Sequence, residues 1–130
     1  MALALMNDRT HRVVALEVGV ATTRADRRRG LLGRNSLGVS EGLMLSPCAA
    51  VHTAFMRFAI DIVFVDGDGR TVRVVPQVRP WRMTASLRAR SVIELPAGTA
   101  TAADIRVGDL LYLAPPPPQS REELVKAHAC

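Results

Sequence analysis

The stretch "AIDIVFVDGDGRTVRVV", residues 59–75, is the most informative part of this sequence. It holds two runs rich in Ile, Val and Phe, joined by Asp-Gly-Asp-Gly. Asp-Gly between two alternating apolar runs is typical of a tight turn between antiparallel strands. A calcium-binding EF-hand loop starting at Asp66 would need ligand oxygens to continue at its fifth and twelfth positions, which Arg70 and Gln77 occupy. The stretch therefore predicts a β-hairpin, not a calcium site.

Further strands are predicted on both sides of this hairpin. Residues 11–21 alternate, with Val14, Leu16, Val18 and Val20 on one face, and four more segments have strand-like composition. These four are LMLSP (43–47), VHTAFM (51–56), SVIELPAG (91–98) and DLLYLA (109–114), while the second hairpin strand extends over RTVRVVPQV (70–78). Thr23 as N-cap with Asp26 three residues later predicts a short helix that Gly33 can terminate, and a helical turn is expected over Thr101–Ile105.

This element count predicts the fold class. About six or seven short strands, one or two short helices and no regular βα alternation favour an α+β, mainly β domain. We expect a compact antiparallel sheet that is barrel-like or sandwich-like. A chain of 130 residues with 48% apolar composition has the size of one domain. We place it at residues 1–114, followed by a proline spacer and tail over residues 115–130, with a short helix starting at Ser120.

The charge and the chain ends suggest a compartment and exclude some partners. The net charge of +5 comes almost entirely from arginines scattered along the chain, so the cluster at residues 24–34 is interpreted mainly as solvated surface. With only five aromatic residues, a stacking platform for single-stranded nucleic acid is not expected. The apolar start is too short for a signal peptide, and no window is long enough to span a bilayer. We expect a soluble, cytoplasmic protein; the sequence does not indicate its oligomeric state.

Two acidic residues stand out because they interrupt apolar strands. Asp61 is flanked by Ile60 and Ile62, and Glu94 lies in "VIELP". Burying a charge without a partner is costly, so each must point outward, pair with a cation or occupy a cleft. Arg57, four residues before Asp61, is one candidate partner. For Asp61 the sequence leaves two roles open: a structural ion pair or main-chain hydrogen bond, and a ligand-binding or catalytic acid.

Cys48 and His52 form a second candidate group. Four residues separate them by roughly 13 Å in an extended strand, but a bend after Pro47 would bring them together. A thiol beside an imidazole is suited to nucleophilic catalysis or metal binding. The alternative is that Cys48 is a small buried apolar residue and His52 a hydrogen-bonded strand residue. Because the sequence has no CxxC, HxxxH or HExxH motif, we expect no structural metal site, and it indicates no cofactor.

Several motifs, in order and spacing, resemble an uncharacterised bacterial and archaeal family called domain of unknown function 192. The resemblance covers residues 13–113 and is carried by RRRGLLGR, EGLML, VHTAFMRFAIDIVFVDGDGRTVRVV, VRPWR and SVIELPAGTATAADIRVGD. The family pattern of a Met, a basic residue and an Asp before an apolar strand falls on Met56, Arg57 and Asp61. One departure is Ala59, where similar sequences usually carry proline. The resemblance implies a compact, mainly β domain with a few short helices, and no established activity.

Three hypotheses for the function follow from these residues. The leading hypothesis is a binding module for a small polar or anionic ligand, in a cleft lined by His52, Arg57, Asp61 and Glu94. The alternatives are an enzyme, with Cys48 as nucleophile or redox thiol, His52 as base and Asp61 as orienter, and a structural interaction domain. The binding and enzyme hypotheses both depend on whether these side chains converge in the folded chain.

Overall fold

The computed structural model describes residues 3–117 and confirms the mainly β class. Within that range the chain forms nine strands and two short helices. Their bounds are β1 Leu3–Asn7, β2 Arg12–Ala21, α1 Arg24–Arg29, β3 Glu41–Leu45, β4 Ala50–His52, β5 Ile60–Val65, β6 Thr71–Val78, β7 Met83–Ala85, β8 Ser91–Pro96, α2 Thr99–Ala102 and β9 Leu111–Ala114. The tail helix predicted to start at Ser120 lies outside the described residues, and the domain boundary at residue 114 stays a prediction.

The predicted hairpin is present as β5 and β6, which pair antiparallel. One oxygen of Asp66 accepts hydrogen bonds from the amides of Asp68 and Arg70, each at 2.9 Å, and this closes the turn. Gly69 has a φ of 87°, and a Cβ there would lie 2.8 Å from the carbonyl oxygen of Leu111. Only glycine fits this close approach between the turn and β9.

Seven of the strands form one curled sheet in the order β6-β5-β8-β3-β2-β1-β9. Its two ends approach each other, because Arg70 forms a β-bridge with Leu110 next to the hairpin turn. Neighbouring strands are antiparallel except for β2 and β3, which are parallel. That pair departs from the expected antiparallel sheet, and the reason is residues 22–40, a crossover containing α1 that is long enough to bring the chain back in the same direction.

β4 and β7 form a separate two-stranded sheet, which creates a second layer. The apolar core is divided accordingly into two clusters on opposite faces of the large sheet. One contains Val63, Ile93 and Ala100 of α2. The other contains Ile62, Val92 and, from the second layer, Val51. Strands β5 and β8 contribute to both clusters, which explains why their sequences are almost continuously apolar.

Several element boundaries differ from the sequence prediction. Strands β1 and β7 were not predicted, and β4 covers only the start of "VHTAFM", because the chain turns after His52 and Phe55 takes a φ of 64°. Thr23 caps α1 as predicted by accepting from the Asp26 amide at 3.1 Å. The helix ends at Gly30, with φ 47°, and not at Gly33. The second helix begins at Thr99, two residues earlier than expected.

Strand β2 also departs from the simple alternation expected of it. Val14, Leu16 and Val18 are buried as predicted, whereas Val20 is 44% exposed. The register against β1 shifts between Ala15 and Val18, which is the signature of a β-bulge. Ala21 is buried because it belongs to the core cluster on the opposite face of the sheet from Val18.

Asp109 connects β1 to β9, its neighbour at one edge of the sheet. Its carboxylate accepts hydrogen bonds from Arg9 Nε at 2.6 Å, from Asn7 Nδ2 at 2.9 Å and from the Arg106 amide at 2.9 Å. Burial raises the pKa of Asp109, but the Arg9 guanidinium and the donors from Arg106 and Asn7 outweigh it and lower the pKa to about 2. The turn after β1 is thereby tied to the chain that enters β9.

Asp61 is fully buried in β5, and its partners are backbone amides. One oxygen accepts from Gln77 in β6 at 2.8 Å; the other accepts from Gly98 and Ala100, at the start of α2, at 3.0 and 2.8 Å. Gln77 lies where the β5–β6 register shifts, and its φ is 49°. The carboxylate therefore stabilises a bulge in β6 and the first turn of α2 together. The geometry agrees with the main-chain hydrogen-bonding role that the sequence left open.

We expect Asp61→Asn to destabilise the fold by about 2–4 kcal/mol, because one of the two accepting carboxylate oxygens would become an amide NH₂ that faces a backbone N–H and cannot accept from it. The measurement is the free energy of unfolding from urea denaturation. Asp68→Asn, on the exposed hairpin turn, is the matched control and should change that free energy by no more than about 0.5 kcal/mol. Equal losses in the two variants would contradict the role assigned to Asp61.

Candidate functional site

Glu94 lies in the middle of β8, between Leu43 of β3 and Ile62 of β5. Its side chain is on the sheet face opposite to that of Asp61, because it is aligned with Ile62 and not with its neighbour. Only 5% of Glu94 is exposed. Its Oε1 atom is buried and has no hydrogen-bond partner among residues 3–117. A buried carboxyl oxygen without a partner is unusual, since it bears the full cost of desolvation.

A cavity of about 290 Å³ lies against this carboxyl group. Its walls come from α1 and the turn after it, from the end of β3, and from the Cys48 loop and β4. The lining residues are Arg24, Arg27, Arg28, Arg29, Gly30, Leu31, Leu32, Leu45, Cys48, Ala50, Val51, His52, Met56 and Glu94. The cavity therefore lies between the large sheet and the second layer, with Glu94 as its carboxyl group.

Gly30 brings the backbone close to Glu94. It ends α1 in a conformation with φ 47° and ψ −125°, which favours glycine. A Cβ at this position would lie 3.6 Å from Oε1 of Glu94. Leu31, the next residue, is buried in the core cluster on this face and anchors the turn. The sequence "RRRGLL" thus places an exposed arginine-rich turn of helix directly beside a buried acid.

Burial raises the pKa of Glu94 to about 7. An ionised carboxylate here would lose its hydration without gaining a hydrogen bond or ion pair from the described residues. Near neutral pH the group is therefore divided between the neutral acid, which donates one hydrogen bond, and the carboxylate, which only accepts. Carboxylic acids that titrate near pH 7 in a cavity are characteristic of binding and catalytic sites.

The arginines of α1 add positive charge to the cavity. Arg24, Arg28 and Arg29 are exposed and donate to no acceptor among the described residues. Arg27 is held by a hydrogen bond from its guanidinium to the carbonyl oxygen of Thr22. Three guanidinium groups therefore remain available to an anionic group on a ligand.

Cys48 and His52 both line the cavity, but no hydrogen bond joins them. The Cys48 thiol donates to the carbonyl oxygen of Ala50 at 3.2 Å. His52 is exposed on β4, opposite Met83. Asp61 does not orient His52, since both of its oxygens are engaged by backbone amides. The arrangement is therefore not that of a Cys-His-Asp triad.

The structure brings three of the five predicted site residues together and leaves two elsewhere. Cys48, His52 and Glu94 line the cavity; Arg57 and Asp61 do not. Arg57 is exposed, and its guanidinium donates to Asn35 Oδ1 at 2.6 Å. Sequence reasoning missed Gly30, whose position between an arginine run and two leucines was the available signal.

Two further observations concern the described residues as a set. No group of three or more His, Cys, Asp and Glu side chains in residues 3–117 is arranged to hold a metal ion. In the same range no helix has the length and apolar character needed to cross a membrane.

The chain is similar to curated archaeal proteins over part of its length. It is 38% identical over 64 residues to a UPF0127 protein of Pyrococcus furiosus, covering 48% of this chain and 54% of that protein. It is 39% identical over 62 residues to a UPF0127 protein of Pyrococcus abyssi, covering 47% and 52%. The match thus spans about half the length of these relatives.

Two solved structures share the fold. One is a protein of unknown function from Novosphingobium aromaticivorans, with a TM-score of 0.75, 23% identity, and coverage of 86% of this chain and 84% of that one. The other is a candidate transcription regulator from Sinorhizobium meliloti, with a TM-score of 0.75, 21% identity, and coverage of 85% and 91%. At these identities the likeness extends to the fold alone.

The family model of DUF192, described as "Uncharacterized ACR", matches residues 5–113, which is most of the chain. This agrees with the motifs, the mainly β fold and the similarity to UPF0127 proteins. The chain belongs to the DUF192 family.

Proposed function

We propose that this protein binds a small ligand in the cavity beside Glu94. The observation that carries the proposal is the buried, unpartnered Oε1 atom of Glu94, which lines a cavity large enough for a small molecule. Buried polar groups are almost always hydrogen-bonded, and a bound ligand would supply the missing partner. The cavity walls from Leu31, Leu45 and Met56 would bury the apolar part of the ligand.

The charges around the cavity define the chemical class of the ligand. An anionic group next to Glu94 would be repelled once the carboxyl group ionises, so the inner end of the ligand should be uncharged and able to hydrogen-bond. Near α1, the guanidinium groups of Arg24, Arg28 and Arg29 favour an anionic end. The fitting class is a small hydroxylated or carbonyl-bearing carboxylate or phosphate monoester.

The test is a ligand screen on the full chain. Small hydroxy acids and sugar phosphates are compared with uncharged diols of the same size, first by thermal shift and then by titration followed in ¹H–¹⁵N NMR spectra. We expect anionic members to raise the melting temperature and to shift the amide signals of Gly30 and Glu94. Loss of a hydrogen bond from a buried carboxyl group should weaken binding to Glu94→Leu by about an order of magnitude or more.

Variants at the helix separate the two halves of the proposal. The double variant Arg28→Gln with Arg29→Gln should weaken binding of the anionic ligand and leave binding of an uncharged diol unchanged. Arg12→Gln, an exposed arginine in β2, is the control and should change neither. A ligand that binds equally well to wild type, to Glu94→Leu and to the double arginine variant would overturn the proposal.

The raised pKa of Glu94 also predicts how stability depends on pH. In the unfolded chain this glutamate has its ordinary pKa of 4.5, so the folded state holds the proton more tightly. The protonated carboxyl group therefore contributes its full stabilisation of the fold below pH 4.5. This stabilisation is lost as pH rises through the folded-state pKa of about 7, which lowers the free energy of unfolding by about 3 kcal/mol. Glu94→Gln removes the titration, so its free energy of unfolding relative to wild type should rise across this window.

Urea denaturation at several pH values between about 4.5 and 8 measures this difference. Comparing the two proteins at each pH cancels the titration of every other group. Val107→Ser, at an exposed position, changes no titratable group and is the control, so its difference from wild type should stay nearly constant with pH. A constant difference for Glu94→Gln as well would show that the Glu94 carboxyl group titrates at its usual value.

A further inference from the structure

Phe55, Trp81 and Met83 form an exposed apolar surface at one end of the β4–β7 sheet, called here the Trp81 surface. Their exposed fractions are 71%, 60% and 78%. The rings of Phe55 and Trp81 are in contact, with centroids 4.6 Å apart. Met83 begins β7 beside them, opposite His52. Three large apolar side chains grouped on the surface of a single chain indicate a contact surface.

The backbone holds these side chains outward in an unfavourable conformation. Phe55 and Trp81 have φ values of 64° and 65°, which are rare for bulky residues. Thr53, which is fully buried, fixes both loops, since its carbonyl oxygen accepts from the amides of Met56 and Trp81, each at 3.0 Å. Its hydroxyl donates to the carbonyl oxygen of Arg79 at 2.6 Å and accepts from the Arg82 amide at 2.9 Å. Backbone strain maintained in this way is concentrated at functional sites.

A cavity of about 400 Å³ adjoins the Trp81 surface, since Met83 lines it. Three arginines, Arg73, Arg79 and Arg82, line it as well. Arg73 donates to the carbonyl oxygen of Ala85 at 2.6 Å and Arg82 to that of Trp81 at 3.3 Å, which leaves other guanidinium N–H groups free. Thr84 also lines the cavity, and its buried hydroxyl has no hydrogen-bond partner within residues 3–117. These groups are donors suited to a phosphate.

The two chain segments that carry the Trp81 surface contain arginines and no acidic residue. The segment from Arg70 to Arg90 holds six arginines and no Asp or Glu. The segment from Pro47 to Ile60, which carries Phe55, adds Arg57 and also lacks acidic residues. These two segments together carry seven positive charges, whereas the net charge of the whole chain is +5. The remaining residues therefore have a small net negative charge. The arginines that looked scattered along the sequence therefore include a concentrated group beside the exposed aromatic pair.

We propose that the Trp81 surface docks onto an anionic phospholipid bilayer, with Phe55, Trp81 and Met83 inserted at the interface and a headgroup phosphate in the arginine-lined cavity. Aromatic residues prefer the boundary between headgroups and acyl chains. Basic residues beside them gain electrostatic attraction from anionic lipids. The proposal involves peripheral binding, and it shares no residue with the Glu94 cavity, so either can fail alone.

The shape of the surface favours lipid over single-stranded nucleic acid. A base needs a flat, open ring to stack on, whereas the Phe55 and Trp81 rings pack on each other at 59°. Met83 has no π face, but its flexible apolar side chain suits the acyl region. Charge complementarity with phosphates is common to both partners, and the difference lies in the apolar groups.

Trp81 is the only tryptophan of the chain, so its fluorescence reports directly on this surface. The full chain is mixed with vesicles of phosphatidylcholine alone or with about 30% phosphatidylglycerol, and binding is followed by emission shift and co-sedimentation. We expect a blue shift and sedimentation with the anionic vesicles, weakened by salt. Phe55→Ser with Met83→Ser, and separately Arg79→Gln with Arg82→Gln, should each weaken binding by about an order of magnitude.

Matched controls are Val107→Ser, which removes an apolar residue that is 67% exposed elsewhere, and Arg12→Gln. Both should bind vesicles as wild type does, and melting temperatures show that every variant folds. The proposal is overturned if neither vesicle binds, or if the two vesicles bind equally. It is also overturned if inorganic phosphate raises the melting temperature while the protein does not bind vesicles. The same holds if a single-stranded oligonucleotide quenches the fluorescence of Trp81 while vesicles have no effect.

Discussion

The buried carboxylate of Asp61 is the interaction on which the rest of the fold depends. A charge inside an apolar sheet is tolerated only when several donors converge on it, and here three backbone amides do so. Those amides belong to β6 and to the start of α2, so one side chain sets the bulge of the edge strand and the position of the helix that covers the sheet. The bulge at Gln77 also shapes the arginine-lined cavity, which includes residues on both sides of it.

Glu94 shows the opposite outcome for the same type of residue. Asp61 and Glu94 lie on adjacent strands, are both almost completely buried, and occupy opposite faces of the sheet. Asp61 accepts hydrogen bonds from backbone amides, whereas Glu94 lies beside a cavity and close to Gly30, and its Oε1 atom has no hydrogen-bond donor among residues 3–117. The pKa of Glu94 is therefore raised by burial alone. A carboxyl group that the fold leaves unsatisfied is available to a ligand, and one that the fold satisfies is not.

The small β4–β7 sheet gives the second layer two separate surfaces. Ala50, Val51 and His52 of β4 face the Glu94 cavity, while Met83 and Thr84 of β7 line the arginine-rich cavity. Thr53 connects the two strands at one end through hydrogen bonds to the loop before β7. A change in this small sheet would affect both cavities, because each of its two strands lines one of them.

The sequence by itself determined the mainly β class, the β5–β6 hairpin, the N-cap of α1 and the DUF192 resemblance. These depend on local features: alternation, the Asp-Gly turn, a Thr hydroxyl three residues before an Asp, and motif order. The sequence also identified Asp61 and Glu94 as unusual, because burying a charged side chain in an apolar strand costs free energy. It could not say which of them had partners, since the amides of Gln77, Gly98 and Ala100 lie sixteen to thirty-nine residues from Asp61. Only the tertiary structure decided that, and only it placed Cys48, His52 and Glu94 at one cavity and Arg57 outside it. The physical reason is that strand pairing and layer packing bring together residues distant in sequence, and nothing in a local pattern encodes that register.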